Sequence, residues 1–461
     1  MTRLAEVALI AGVVFAVLAF GGTNPAYFAL VQIILLGAAA LAMRMPKSEV
    51  AGMAPAAFAI PAALAGIALL QICPLPEKFL FVRHTADAMN DVAVARKSLS
   101  FAPYSTRTSF LILITCFAAF FLAQIVGENR ERKRRFINSL LVLGTAEALY
   151  GLVQYLSGWQ YIFAYAKKYD LEEATGTYIN RNHYAGFLEM ILPFSVALLF
   201  YEYEKSRGAG SGTSFTVPVN LKSILIRQSL QRLLLFLAVA VVLFAALCFS
   251  RSRMGIAAAV ASLSVMFGLA GLSRSRGKKG LVLAGAFAAL SLGLAVWIGP
   301  GPIVERFENV GQEFTMREQS RFAIWQDSRA LVREHPLLGT GLGTFPIVYT
   351  QVQTTFLGQF VNHAHNDYLE LAVDLGVPTA LLLYGSICMV FARAARGFFH
   401  AHGKFERYVA LGCAGSIVAI LLHSLTDFNL YIPANAILFS TILGLAMTVP
   451  RPNSAPWSAA P

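Results

Sequence analysis

Leu233–Phe249 reads LLLFLAVAVVLFAALCF, an apolar run without a single charge. Runs of about 20 such residues are what a helix needs to cross a hydrocarbon core of roughly 30 Å. The run stops at Ser250-Arg251-Ser252-Arg253, and a second one, Met254–Leu272, begins at once. Working outward, comparable runs lie at Val7–Gly22, Ala26–Met43, Met53–Cys73, Thr108–Gly127, Phe136–Leu156 and Tyr184–Tyr201. Beyond the pair come Leu281–Ile298, Asp367–Val390, Tyr408–Leu425 and Ile432–Val449. Together they predict about twelve transmembrane helices. The alternation of a membrane barrel is absent, so the expected class is all-α, a polytopic membrane helical bundle.

The composition agrees. Of 461 residues 57% are hydrophobic and 13% charged, with a mean hydropathy of +0.61. Globular domains carry roughly 25% charge, about twice as much. Arg3 before the first run suggests a signal peptide, but Phe20-Gly21-Gly22-Thr23 offers no convincing cleavage site, so a retained helix is expected. The cysteines at 73, 116, 248, 388 and 413 sit in or beside apolar runs without a CxxC, and read as small buried residues.

Basic residues set the expected orientation. They gather in Glu128–Arg135 (ENRERKRR), Ser273–Gly280 (SRSRGKKG), Ala392–Arg407 and the stretch from Lys205 to Arg232, and Arg44 and Lys47 flank the second run. With twelve crossings all of these fall on one face, the cytoplasm, with both termini. The net charge of +12 is then mostly topology and requires no nucleic-acid partner. Arg207–Ser214 (RGAGSGTS) reads as a flexible linker there, and 450–461 as a disordered tail. The opposite face receives 74–107, 158–183, 300–366 and the turns Ser250–Arg253 and Asp427–Tyr431.

Chemistry concentrates on that second face. Asn362–Leu375 reads NHAHNDYLELAVDL, placing His363, His365, Asn366 and Asp367 where a polar loop becomes an apolar helix. Asp367, Glu370 and Asp374 follow at spacings of three and four and share one helix face. Ionisable groups are costly in membrane and usually functional. Blander roles stand beside the functional ones: Asn366 or Asp367 as a helix cap, His363 as a cap or a support for its neighbour, the carboxylates as partners of loop arginines. Glu147, inside its run, is either protonated or paired within the bundle. Arg251 and Arg253 occupy a turn too short for solvated excursions; they snorkel to headgroups or form an anion site. Asn180, Arg181, Asn182 and His183 are expected to line the mouth, with Arg181 foremost.

Within 300–366, Arg317–Glu334 spaces Phe322, Trp325 and Val332 as an amphipathic interfacial helix that Pro336 ends. GTGLGTF at Gly339–Phe345 resembles a phosphate loop, but lacks the preceding strand and following Lys-Ser/Thr, and reads as a turn. His363 and His365, with His423, leave a metal site open, although no third outer histidine or cysteine obviously converges. The other reading is base catalysis by histidine, with arginines neutralising a diphosphate leaving group and removing the need for a divalent ion or other cofactor.

The chain resembles the bacterial O-antigen ligase and O-antigen polymerase family over residues 140–449. The resemblance rests on Ala146–Tyr155 (AEALYGLVQY), Gly176–Pro193 (GTYINRNHYAGFLEMILP), Ser250–Gly255 (SRSRMG), Ser320–Phe345, His363–Pro378 and His423–Ala436 (HSLTDFNLYIPANA). It implies an inner-membrane glycosyltransferase acting in the periplasm on a glycan carried by undecaprenyl diphosphate. His365 corresponds to the family's histidine before asparagine and would deprotonate the acceptor hydroxyl. Arg253 and Arg321 correspond to the family's diphosphate-contacting arginines and would hold the diphosphate, with inversion of the anomeric configuration; on the residues themselves, Arg251 and Arg181 are expected to assist. Asn366, Asp367, Glu370 and Asp374 would receive sugar or acceptor. The turn reads Arg-Met-Gly where the family has Arg-Gly, which leaves its backbone setting open.

The implied partners are the lipid-linked donor, membrane lipids and one of three acceptors: lipid A-core, another lipid-linked repeat or a protein hydroxyl. The expected organisation is 1–135 as four N-terminal helices and 136–449 as the ligase-like core containing the periplasmic loop 300–366. A lipid-linked sugar transporter is the alternative of a different class; it predicts charges along a path to the cytoplasm. A non-catalytic scaffold leaves the buried charges unexplained.

Overall fold

The computed structural model describes residues 1–45, 56–74, 98–210, 219–272, 313–355 and 360–449. The chain is a helical membrane protein. Its helices are α1 (Thr2–Leu18), α2 (Pro25–Ala42), α3 (Ala56–Ile72), α4 (Pro103–Gly127), α5 (Arg130–Ser157), α6 (Arg181–Gly210), α7 (Val219–Phe249) and α8 (Arg253–Leu272). They continue with α9 (Glu313–Glu334), α10 (Asp367–Leu375), α11 (Val377–His400), α12 (Lys404–His423) and α13 (Pro433–Met447). Tyr161–Ile162 and Tyr165–Ala166 form a small antiparallel hairpin. Among the described residues eight helices are long and apolar enough to cross a membrane, and Phe58–Ile72 and Pro433–Met447 are shorter apolar helices. The expected span Leu281–Ile298, the basic stretch Ser273–Gly280 and the tail 450–461 lie outside the described residues.

Several boundaries differ from the sequence reading. The expected span Asp367–Val390 is two helices, because Gly376 (φ 81, ψ 160) ends α10 and α11 starts afresh. The basic stretch 128–135 is not a loop: Asn129 caps α5 by accepting from the amides of Glu131 and Arg132 at 2.9 and 3.1 Å. Its charges then join helices, Arg135 gripping Glu6 with two 2.7 Å bonds and buried Lys133 pairing with Glu406. The linker reading of 207–214 is corrected in part, since α6 runs on through Gly210. The cysteines are all free, but Cys73 and Cys388 are exposed rather than buried.

α6 forms the centre of the bundle, packed along α12, α7 and α8. Its apolar residues Tyr184–Phe200 are almost all fully enclosed. Close approach to α12 follows from small residues: a Cβ on Gly412 would meet the Phe194 ring at 2.8 Å. Hydroxyl bonds tie the helices where water is absent, Ser416 Oγ donating to Met190 O at 2.6 Å and Ser262 Oγ to Gly415 O at 2.7 Å. This packing brings the start of α6, the end of α12 and the turn before α13 to one end of the bundle.

α9 caps that end, and its apolar stripe differs from expectation. Phe322 is exposed, whereas Ile324, Trp325, Leu331 and Val332 pack with Phe345, Tyr349, Val361, Ala364 and Val373 in a separate small core. Trp325 Nε1 donates to Ala364 O at 2.8 Å, so α9 is fastened to the residue between His363 and His365.

Candidate active site

Asn366 opens α10 as a cap, its Oδ1 accepting from Leu369 N at 3.0 Å. The residue before it, His365, has φ 50, left-handed backbone that a residue with a Cβ rarely adopts. The next amide explains how this is held: Asp367 N donates to both Ser424 O (3.0 Å) and Asp427 O (3.2 Å), pinning the loop to the turn after α12. The Asp367 carboxylate completes the clamp, accepting from Ser424 Oγ at 2.6 Å and Leu430 N at 3.3 Å.

Glu370 and Asp374, on the same face, are buried and likewise bonded within the protein. One Glu370 oxygen lies 2.7 Å from His363 Nδ1 and the other accepts from Ala364 N at 2.8 Å. Asp374 accepts from Gly343 N at 2.7 Å and Tyr431 Oη at 3.1 Å. Their partners are thus a serine, a histidine, a tyrosine and backbone amides rather than loop arginines. Burial pushes the carboxyls of Asp367 and Asp374 well above the usual range.

The GTGLGTF stretch is a structural turn. Gly339, Gly341 and Gly343 have φ of 66, 121 and 74, which only glycine takes readily. The amides of Thr340, Gly341 and Gly343 donate to Val373 O, Asp374 O and Asp374 Oδ2, and Leu342 N to Gln71 Oε1 at 3.0 Å. Those donors are spent on the protein and do not face a phosphate.

Phe428 organises the histidines. His363 stacks on it at 4.0 Å and 14°, while His183 and His365 meet it edgewise at 4.6 and 4.9 Å. Next to it, Asp427 is enclosed, accepting from Asn182 Nδ2 at 2.7 Å and Phe428 N at 2.8 Å. His183 Nε2 stands 3.6 Å and Arg321 3.9 Å from its oxygens. Burial opposes the charge on Asp427, but contact with His183 and the fields of His183, His365 and His423 hold its carboxyl well below the usual range. Burial dominates for His365 in the other direction: its pKa falls to about 4, with Arg321 adding to the shift and Asp427 opposing it. His365 is therefore a neutral imidazole at physiological pH, and its Nδ1 has no partner among the described residues.

The expected arginines divide into two groups. Arg321 joins the histidine cluster. Arg181 instead pairs with Glu173 and lies 3.7 Å from Asp170, and Arg251 (φ 53) lies 3.5 Å from Glu172 and over the Tyr155 ring at 5.7 Å. Both are thus met by the acidic loop before α6, while Arg253 is the half-buried first residue of α8. Glu147 is buried inside the bundle and accepts from Thr177 N and Thr177 Oγ1, both at 2.9 Å. Among the described residues no group of three or more His, Cys, Asp or Glu side chains has the arrangement of a metal site.

Asp427 and Phe428 are absent from the site expected from the sequence, which places them in a tight turn within the stretch His423–Ala436 that carries part of the resemblance. The available signal was an aspartate beside an aromatic in an otherwise apolar neighbourhood.

The fold and this end of the bundle define a helical membrane protein with a buried histidine–aspartate–arginine cluster. Residues 238–384 match the model of the family described as O-Antigen ligase, which supports the likeness to the O-antigen ligase and polymerase family. The matched segment carries Arg253, Arg321, His363, His365 and α10, while His183 and Asp427 lie on either side of it. No curated protein matches the chain.

Proposed function

We propose that the protein is a glycosyltransferase of the bacterial inner membrane, transferring a glycan from undecaprenyl diphosphate to a hydroxyl acceptor on the periplasmic face, in the manner of an O-antigen ligase. The observation that carries this reading is a neutral His365 set beside the Asp427 anion and the Arg321 cation. In the transfer, the acceptor oxygen attacks the anomeric carbon and the bond to the diphosphate oxygen breaks. The hydroxyl proton passes to His365, and Asp427 stabilises the imidazolium so formed. Arg321, with Arg253 and more distantly Arg251 and Arg181, meets the charge of the departing diphosphate, so that the reaction proceeds without a divalent ion. Attack opposite the leaving group inverts the anomeric centre.

His363 positions its neighbour, held between Glu370 and Phe428. Asn366, Asp367, Glu370 and Asp374 shape the acceptor side chiefly through the loop and turn that they bind. Residues 136–449 form the catalytic core, 1–135 four supporting helices, and both termini face the cytoplasm. Lipid A-core is the acceptor in the ligase reading; a second lipid-linked repeat or a protein hydroxyl are the other members of the same chemistry.

Surface polysaccharide from a deletion strain, compared by gel with its parent, tests the assignment. Lipid A-core lacking O-antigen identifies a ligase, and core bearing one repeat a polymerase. An unchanged pattern excludes both roles for that polysaccharide. Turnover by detergent-solubilised protein separates a transferase from a transporter of lipid-linked sugar, which shows none.

A further inference from the structure

One buried ionisable pair takes no part in that chemistry. Glu189 lies on α6 and His423 is the last residue of α12, with side chains 0% and 1% exposed. His423 Nδ1 is 3.1 and 3.0 Å from the two Glu189 oxygens, so a hydrogen bond joins ring and carboxylate. The other ring nitrogen, Nε2, is buried and has no partner among the described residues.

Joining α6 to α12 does not require this pair. The helices already share apolar packing and the Ser416–Met190 bond, and apolar residues of the same volume hold helices together as well as a buried ion pair does. Its location offers a better reason. His423 O accepts from Thr426 N at 3.0 Å, so the residue starts the turn that carries Asp427. The charged and titratable groups acting on His423 are Glu189 and His183 from α6, Asp427 from the turn and Arg321 from α9. Asp427 in turn acts on His183 and His365.

We infer that Glu189 and His423 form a positioning pair for the transfer site, in which the carboxylate fixes the imidazole so that His423 acts on His365 through Asp427. This rests on the transferase reading above. His423 supplies a cationic neighbour that keeps Asp427 an anion while His365 receives the acceptor's proton. Glu189 holds that neighbour in place through the bond to Nδ1.

The test uses full-length protein in detergent, with lipid-linked repeat unit extracted from the same envelope as donor. Rates for the parent, Glu189→Gln, His423→Gln and the double variant are measured over roughly pH 4 to 9, with melting temperatures alongside. Each single variant is expected to lose about tenfold in kcat with the donor KM within about twofold, and to move the acid limb of the profile to higher pH. That direction follows because His365, deprived of a nearby cation, takes up a proton more easily and is then lost as a base. The double variant is expected to be no worse than either single one, as for residues acting as a unit. Folded variants with parental kcat and an unmoved acid limb overturn the inference, as does a loss of melting temperature alone. If His423→Gln does not fold, Glu189→Gln decides by the same readouts. A parent enzyme that transfers nothing overturns the transferase reading and the inference together; transfer by the parent with unaffected variants overturns the inference alone.

Discussion

Glu370 and His363 face each other across the loop that presents His365, with His363 Nδ1 2.7 Å from Glu370 Oε1. The second carboxylate oxygen binds the amide of Ala364, so one buried side chain fixes both residues leading into the strained backbone of His365. A static loop follows from this, and a catalytic histidine gains when its position is settled before substrate arrives.

Glu370→Ala leaves the buried Ala364 amide and the His363 ring without their acceptor. A loss of about 1–3 kcal/mol is expected for such an orphaned donor, with a larger fall in transfer rate because the loop is released. Thermal melting in detergent and the rate per folded molecule check the two effects separately.

His365 gives the pH dependence. Its pKa in the folded protein is about 4, below the ordinary 6.5. The unfolded chain therefore binds the proton more readily between those values. Stability from this group is complete above pH 6.5 and declines as pH falls through 6.5 towards 4. Transfer is expected to stay level from neutrality down to about pH 5 and then fall, in contrast to a solvated histidine base with its midpoint near 6.5. A midpoint near 6.5 in the parent enzyme would contradict the burial of this ring.

His365→Ala is expected to abolish transfer with normal expression and membrane insertion, as measured by product formation and membrane fractionation. Normal transfer by that variant removes His365 from the role of base. Arg253→Lys is expected to lower the rate although it keeps the charge, because a single ammonium cannot bind a phosphate in bidentate fashion.

Asp427→Asn keeps the bond from Phe428 N but removes the anion beside His183, His365 and Arg321. A fall in kcat of roughly a hundredfold or more is expected, with the donor KM far less affected. Equal losses in kcat and in binding would point to a collapsed turn instead.

Gly186→Ala tests the packing beneath the cluster. A Cβ there would stand 2.2 Å from Asn429 Oδ1, and Asn429 is fully buried and bonded by Asn435 Nδ2 at 3.0 Å. The same Asn435 nitrogen donates to His183 O, so the displacement reaches the site. Overpacking of this kind costs about 1–3 kcal/mol, readable as a lower melting temperature with reduced transfer.

Much of this was visible beforehand, for local reasons. Apolar run length marks membrane helices whatever they pack against, and the Asn366 cap and the helical face of Asp367, Glu370 and Asp374 are matters of spacing along one segment. The break at Gly376 was not visible, because α10 and α11 are both apolar and only the glycine's φ of 81 divides them. Nor was the split among the arginines, since Arg181 and Arg251 are claimed by Glu172, Glu173 and Asp170 in a loop whose position depends on the packed bundle.

The sequence by itself determined that this chain is a membrane helical bundle and that ionisable residues cluster around His363 and His365. Period, run length and charge are properties of neighbouring residues, and they survive without any knowledge of packing. Only the tertiary structure decided which distant groups serve those histidines: Asn182 and His183 from the start of α6, Arg321 from α9, Asp427 and Phe428 from the turn after α12. Asn182 and Asp427 lie 245 residues apart, and what brings them within 2.7 Å is the close packing of α6 against α12. Such a contact depends on how whole helices fit together, and no short stretch of sequence contains that information.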